Sequence, residues 1–328
     1  MNQSRFALTA AVFFSCLSVL HAVDTVETSS TKHKGKITRI TKDGIVIRVG
    51  TVNHTVPLAE IQSIRFHLHP SKLAQAQGLM KLGKFKEALD QLLKAPSSTR
   101  DAIQQEIDFN IAKCAMRLRR SDGRTKMYAF VQNHTNSHHY YEGYEMLADL
   151  AVEMRRAPLA IQFYTELSTA RWKQIKLEGL LGIASVKFEI EKKYDEARNL
   201  YEKIMNFSGG TEQFKLAGKL GMARCDIQLG QADQAIQKIQ EVIKASNPQY
   251  ERMHARAYNA LGNGYLKSKR PDKTKQALWA FLIVDIVYSA YPKEHSEALS
   301  NLAVLWRQEK REDRANDARQ RMRAYGNQ

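Results

Sequence analysis

The chain has 328 residues, of which 43% are hydrophobic, 9% aromatic and only 7 are proline, a composition that excludes a disordered or collagen-like chain and favours packed helices. Its formal charge is +16, from 50 Lys and Arg against 34 Asp and Glu, which says nothing of fold but favours anionic surfaces such as acidic proteins, glycans or lipid head groups; nucleic acid is not expected. Three cysteines, one of them in the N-terminal apolar run, are too few for a disulfide framework, so Cys114 and Cys225 are expected as small buried hydrophobes.

Residues 1–22 form a separate object. Arg5 gives a short positive start, Phe6 to Leu20 is almost uninterrupted apolar sequence, and Leu20-His21-Ala22 offers a small residue for cleavage. The segment resembles a secretory signal peptide, and its apolar run is short of the ~20 residues that span a bilayer. The protein is therefore expected to be exported, periplasmic or extracellular, with mature protein beginning at Val23; retention of the segment as a membrane anchor is the alternative. Residues 23–33, rich in Thr and Ser and without apolar periodicity, read as a linker.

Residues 34–68 form a small β-rich module. Lys36 to Thr41 and Ile45 to Val49 flank Asp43-Gly44, a hairpin signal, and Thr51 to Val56 and Ile61 to Phe66 supply two more strands around Pro57. A four-strand meander of this length is too small to fold alone and must pack on the helices, on a partner or on a copy of itself. In size and rhythm it resembles the small Sm-like barrels.

From residue 70 to 325 the periodicity is helical and repeats. A small residue in one helix recurs twelve positions before an Ala in the next: Ala76 with Ala88, Ala148 with Ala160, Ser185 with Ala197, Ala223 with Ala235, and Ala303 with Ala315. Tyr258-Asn-Ala-Leu261-Gly262-Asn-Gly-Tyr265 opens a sixth unit, whose second helix, with Ala277 and Phe281, starts late after Lys269-Arg270-Pro271. A degenerate unit has Ala112 in place but Arg124 at the Ala position, so a short or displaced second helix is expected near Met127 to Gln132. The period of 36 to 42 residues, and turns such as Gly83-Lys84-Phe85 and Lys193-Tyr194-Asp195-Glu196-Ala197, resemble the tetratricopeptide repeat family. The implied fold is mainly α, a solenoid of about seven helical hairpins behind the β module.

No enzyme signature stands out. Gly78-Leu-Met-Lys-Leu-Gly83-Lys84 has phosphate-loop spacing, but Phe85 replaces the Ser or Thr that would hold magnesium. His67 with His69, and His134 with His138 and His139, have no Cys or carboxylate at ligand spacing, so no metal and no cofactor are expected.

The resemblance implies that the first helices line a concave face and that residues one turn on either side of the small residue point into it. By spacing these are Phe109, Lys113 and Arg117, then Glu142, Glu145, Asp149 and Glu153, then Arg224, and last Asn259, Asn263 and Asn301. Asn263 and Asn301 stand where some chaperone-binding relatives clamp a C-terminal carboxylate, but the paired basic residues of that clamp do not follow. A separate basic patch comprises Arg117, Arg119, Arg120, Arg124 and Lys126. The expected function is a non-catalytic scaffold of the cell envelope that holds segments of other proteins or peptides in its groove. An adaptor for an anionic polymer or membrane surface, working through the basic patch, is the alternative; the oligomeric state is open.

Overall fold

A computed structural model describes residues 23–326; the expected signal segment lies outside them. The N-terminal module is a five-stranded antiparallel sheet: β1 (Asp24–Thr28), β2 (Lys32–Thr41), β3 (Gly44–Val49), β4 (Val52–Pro57) and β5 (Ile61–Arg65), in the order β4-β3-β2-β1-β5. Two expectations are corrected. The sheet is open, not a closed barrel, and the stretch expected as a linker contains strand β1, which lies between β2 and β5. Alternation does exist in β1, but two of the three buried positions are polar, Asp24 and Thr28, with Val26 between them. The Ser and Thr richness is turn chemistry: Thr28 Oγ1 accepts the Thr31 amide and donates to the Thr31 carbonyl.

Buried polarity in β1 needs partners, and Asp24 has them. Its carboxylate accepts the Ile37 and His67 amides at 2.8 and 2.7 Å and the two terminal guanidinium nitrogens of Arg100, Nη1 and Nη2, each at 2.7 Å. Burial alone would raise its pKa, but Arg100 and the two amides hold it below the usual carboxylate range. The sheet thereby reaches the helical array, and its inner face, with Val26, Ile37, Ile45 and Val56, shares one core with Leu73, Leu89, Leu92 and Ile107. The hairpin tip also docks: Trp172 Nε1 donates to the Asp43 carbonyl and the Lys42 ammonium lies over Tyr140 and Tyr141. The module covers the first hairpin, as the end of a repeat array requires.

The array consists of α1 (Ser71–Lys81), α2 (Phe85–Leu93), α3 (Asp101–Arg117), α4 (Gly123–Asn133), α5 (Tyr140–Glu153), α6 (Ala157–Ser168), α7 (Lys173–Val186), α8 (Tyr194–Met205), α9 (Glu212–Gln228), α10 (Ala232–Ala245), α11 (Glu251–Lys267), α12 (Lys273–Val287), α13 (Pro292–Gln308) and α14 (Glu312–Gly326). They pair as seven consecutive hairpins. The paired alanines are buried at the crossings, with Ala76, Ala88, Ala148, Ala160, Ala197, Ala223, Ala235 and Ala315 excluded from solvent. Two registers differ by one residue. In the second unit the close approach belongs to Gly123, where a Cβ would lie 2.8 Å from the Ala115 and Met116 backbone, so α4 has ordinary length and Arg124 faces solvent. In the fourth, Ala184 is fully buried and Ser185 turns outward, next to a π-helical turn at Lys187–Glu191 that continues α7.

A backbone rule underlies the hairpins. Seven residues after the small position, or eight after Ala184 in the fourth unit with its π-helical turn, the chain adopts a left-handed conformation in every unit except the sixth: Gly83, Arg119, Arg155, Lys192, Gly230 and Lys310. In most, the next amide closes the turn on the carbonyl five residues back, as Lys84 does on Leu79 and Arg311 on Trp306. A non-glycine residue there costs about 1–2 kcal/mol, partly offset by a cation at the negative end of a helix. Arg119 is thus a turn residue as well as a surface charge.

Neighbouring first helices touch one another, α9 with α11 and α11 with α13, while consecutive second helices make much less contact. The first helices therefore line the concave side. Among the described residues no helix is long and apolar enough to cross a membrane.

Candidate functional site

The concave side holds a cavity of about 510 Å³ between α7, α9, α11 and α13. Its apolar lining includes Leu181, Phe214, Ala217, Leu220 and Met253, and charged residues surround it. Toward the C-terminus, Arg252 and Arg256 both donate to Glu294 Oε1, at 3.1 and 2.7 Å, while the buried Oε2 has no partner. Burial would raise the pKa of Glu294, but Arg256 and Arg252 hold it low. Glu189, presented by the π-helical turn, receives Arg224 at 3.5 Å and Lys293 at 3.2 Å, a bridge from the fourth unit to the fifth and seventh. Burial again opposes ionisation of Glu189, and Arg224 and Lys293 overcome it. Arg224 also lies over the Phe188 ring, 4.4 Å from its centroid.

Toward the N-terminal end the groove becomes acidic. Glu145 and Asp149 on α5 face Glu178 on α7, and Glu145, though solvent-exposed, is pushed up to about 7 by partial desolvation and then by Glu178, Asp149 and Glu142. The folded state therefore binds this proton more tightly than the unfolded chain, so stability falls as pH rises from about 4.5 through about 7. Glu145→Gln should raise the melting temperature at pH 8 and leave it unchanged at pH 4. A variant equally stabilised at both values would remove the charge repulsion as the cause.

The sequence-derived groove residues do not form one surface. Arg224 lines the cavity, and Glu145, Asp149 and Glu153 are exposed on α5, with Asp149 accepting the Tyr164 hydroxyl at 2.6 Å. Lys113 and Glu142, expected as opposite steps of the groove, instead pair with each other, and Arg117 is exposed. Phe109 and Asn259 are corrected: both are 1% exposed. Phe109 stacks on His139 with ring centroids 3.8 Å apart, and Asn259 donates to the Glu294 carbonyl across the α11–α13 contact. Asn263 donates to Glu297 Oε1, and Asn301 donates to a carbonyl of its own helix. The cavity face of α11 is Arg252, Met253, Arg256 and Ala260, one residue off the expected register. That four-residue spacing of basic groups was visible; the contribution of Glu189 was not, because the π-helical turn re-aims it.

In the basic patch, Arg120 and Lys126 are held by Asp122 at 3.1 and 3.7 Å, and Arg117, Arg119 and Arg124 are exposed.

A stack of helical hairpins with a groove along the first helices defines the class, an α-solenoid. The particular fold is that of tetratricopeptide repeat proteins. A crystal structure of a tetratricopeptide repeat protein from Parabacteroides merdae ATCC 43184 superposes with a TM-score of 0.59 at 14% identity, over 78% of this chain and 92% of that one. The crystal structure of the P58(IPK) TPR domain matches at a TM-score of 0.31 and 15% identity, over 73% of this chain and 65% of that one, and carries no weight here. Neither a protein-family model nor a curated protein matches the sequence.

Proposed function

We propose that the protein is a non-catalytic scaffold, exported to the cell envelope, which holds an extended segment of another protein in the groove of its fourth to seventh hairpins. The cavity carries this reading: four consecutive first helices supply an apolar lining for a side-chain anchor and charged walls to orient the segment. The lowered pKa values of Glu189 and Glu294 suit fixed counter-charges and not proton transfer near neutral pH. Acidic α5 gives the groove direction, with a basic stretch of the partner toward Glu145 and its apolar anchor in the charge-balanced cavity beside Arg224.

Export rests on the apolar run of residues 6–20 and is checked by mass spectrometry of the exported protein, which should begin at Val23 and not Met1. The second reading, an adaptor for an anionic polymer or membrane surface, is favoured by the exposed Arg117, Arg119 and Arg124. Capture from envelope extracts at low and high salt separates the two. A groove with an apolar anchor keeps its partner when salt is raised, whereas a polyanion ligand is released steeply.

A further inference from the structure

Away from the groove, where α3 meets the turn that precedes α5, lies a buried cluster that the scaffold reading does not use. Glu106 on α3 is 5% exposed, and one of its oxygens, Oε1, stands 2.9 Å from His138 Nε2 and 2.9 Å from His139 Nε2. One ligand atom from each of the three residues falls within 4.8 Å of the other two. From the sequence the two histidines had no carboxylate beside them; the fold brings Glu106 to them from 32 positions upstream of His138.

The remaining polar atoms of two members are already engaged. Glu106 Oε2 accepts Gln77 Nε2 at 3.2 Å and Asn110 Nδ2 at 3.5 Å, which leaves Oε1 facing the imidazoles. His139 Nδ1 stands 3.3 Å from Glu142 Oε2, and Glu142 is in turn held by Lys113. With Nδ1–H donating to that carboxylate, loss of the Nε2 proton now shared with Glu106 would aim the Nε2 lone pair at the centre of the cluster. Phe109 stacks flat against the same ring and fixes its plane.

A hydrogen-bonded core alone does not account for His138. Its ring is nine-tenths buried, its Nδ1 has no partner, and its Nε2 meets the same carboxylate oxygen as His139. Burying an imidazole with one ring nitrogen left unpartnered is costly. Two of the donor–donor edges are 2.9 Å and the third lies within 4.8 Å, so two histidines and one carboxylate converge on a space that one ion bound at about 2.0–2.1 Å would draw together.

We propose that Glu106, His138 and His139 form a binding site for a single divalent transition-metal ion of the zinc class. The ion takes the Nε2 lone pairs of both neutral imidazoles and a lone pair of Oε1, and the protons shared along those contacts leave to solvent. Imidazole nitrogens with a carboxylate select zinc, cobalt or nickel over magnesium and calcium, which prefer all-oxygen shells. Three protein ligands leave at least one further coordination position. The bound ion would tie α3 to the 134–139 turn, whose Asn136 side chain accepts the Lys42 amide of the sheet, and so brace the junction between sheet and array. This inference is independent of the groove.

The test is a titration of untagged, chelator-stripped protein with Co²⁺, read by visible d–d absorption, which reports ligand geometry and not stability. One equivalent per chain should develop the bands of a low-symmetry, four- or five-coordinate site. His138→Gln should abolish them, Glu142→Gln should weaken binding about 10- to 100-fold by releasing His139, and His33→Ala, at the separate His33–His54 ring pair, should change nothing. Because His138 makes only one hydrogen bond, its substitution is the one least expected to disturb folding, and circular dichroism confirms the folded state. Absence of bands in the unsubstituted protein, or bands that persist in His138→Gln, overturns the site.

Discussion

Asp24→Ala should destabilise the folded chain by about 3–5 kcal/mol, the scale of breaking a buried ion pair by deleting one partner. The carboxylate is 2% exposed and is the common acceptor for two backbone amides and the Arg100 fork, so its removal leaves three sets of donors without a partner. Arg100 is partly exposed and can rehydrate; the Ile37 amide is buried in β2 and the His67 amide is held in the turn after β5. Repeat arrays lose structure from their ends, so the loss should appear first as faster hydrogen exchange in β1, β2 and the first hairpin. An unchanged melting temperature, or a loss spread evenly over α9 to α14, would mean that Asp24 does not hold the sheet to the array.

Gly179→Ala should cost about 2–3 kcal/mol although alanine is the better helix former by about 1 kcal/mol. At this position in α7 a Cβ would lie 2.5 Å from the Ser168 amide nitrogen and 2.7 Å from the Tyr164 carbonyl oxygen, both backbone atoms of α6 that cannot swing aside. Gly218 in α9 repeats the arrangement against the Tyr201 carbonyl and Met205 of α8. These glycines let one unit's first helix seat on the second helix of the unit before. Gly78→Ala in α1 is the control: nothing lies within 4 Å, so propensity alone should act and stability should rise slightly. Melting temperatures that rise in both variants would show that the α6–α7 approach is looser than described.

These cases indicate how much of the molecule could be read from its sequence. The twelve-residue offset marked the hairpins because it reports a contact within one unit, between helices joined by a short turn. Contacts between units depend on inter-unit turn length, so Gly179 and Gly218 carry no comparable local mark. Strand β1 was hidden for a different reason: two of its three inward positions are polar, and the charge on Asp24 is balanced only by Arg100, 76 residues away in sequence. The groove was legible as a face and misread in register. A shift of one residue on α11 exchanges buried Asn259 for exposed Arg252 and Arg256, and Phe109 was taken for a groove residue because its role as a wall for His139 is tertiary. The Glu106, His138 and His139 cluster was beyond a local reading, since its carboxylate comes from another helix.

The scaffold account is tested most directly by filling the cavity. Ala217 lines it from α9, half-buried, with its side chain toward the space shared by α7, α11 and α13. Ala217→Trp should occupy that space without touching the ion pairs at Glu189 and Glu294. The measurement is surface-captured binding of a partner isolated from envelope extracts, with thermal stability followed in parallel. The account predicts capture reduced at least tenfold with a nearly unchanged melting temperature, and near-normal capture by Arg117→Gln, Arg119→Gln, Arg124→Gln protein. Full capture by Ala217→Trp protein, together with loss in the triple arginine variant, would contradict it and move the binding surface to the basic patch.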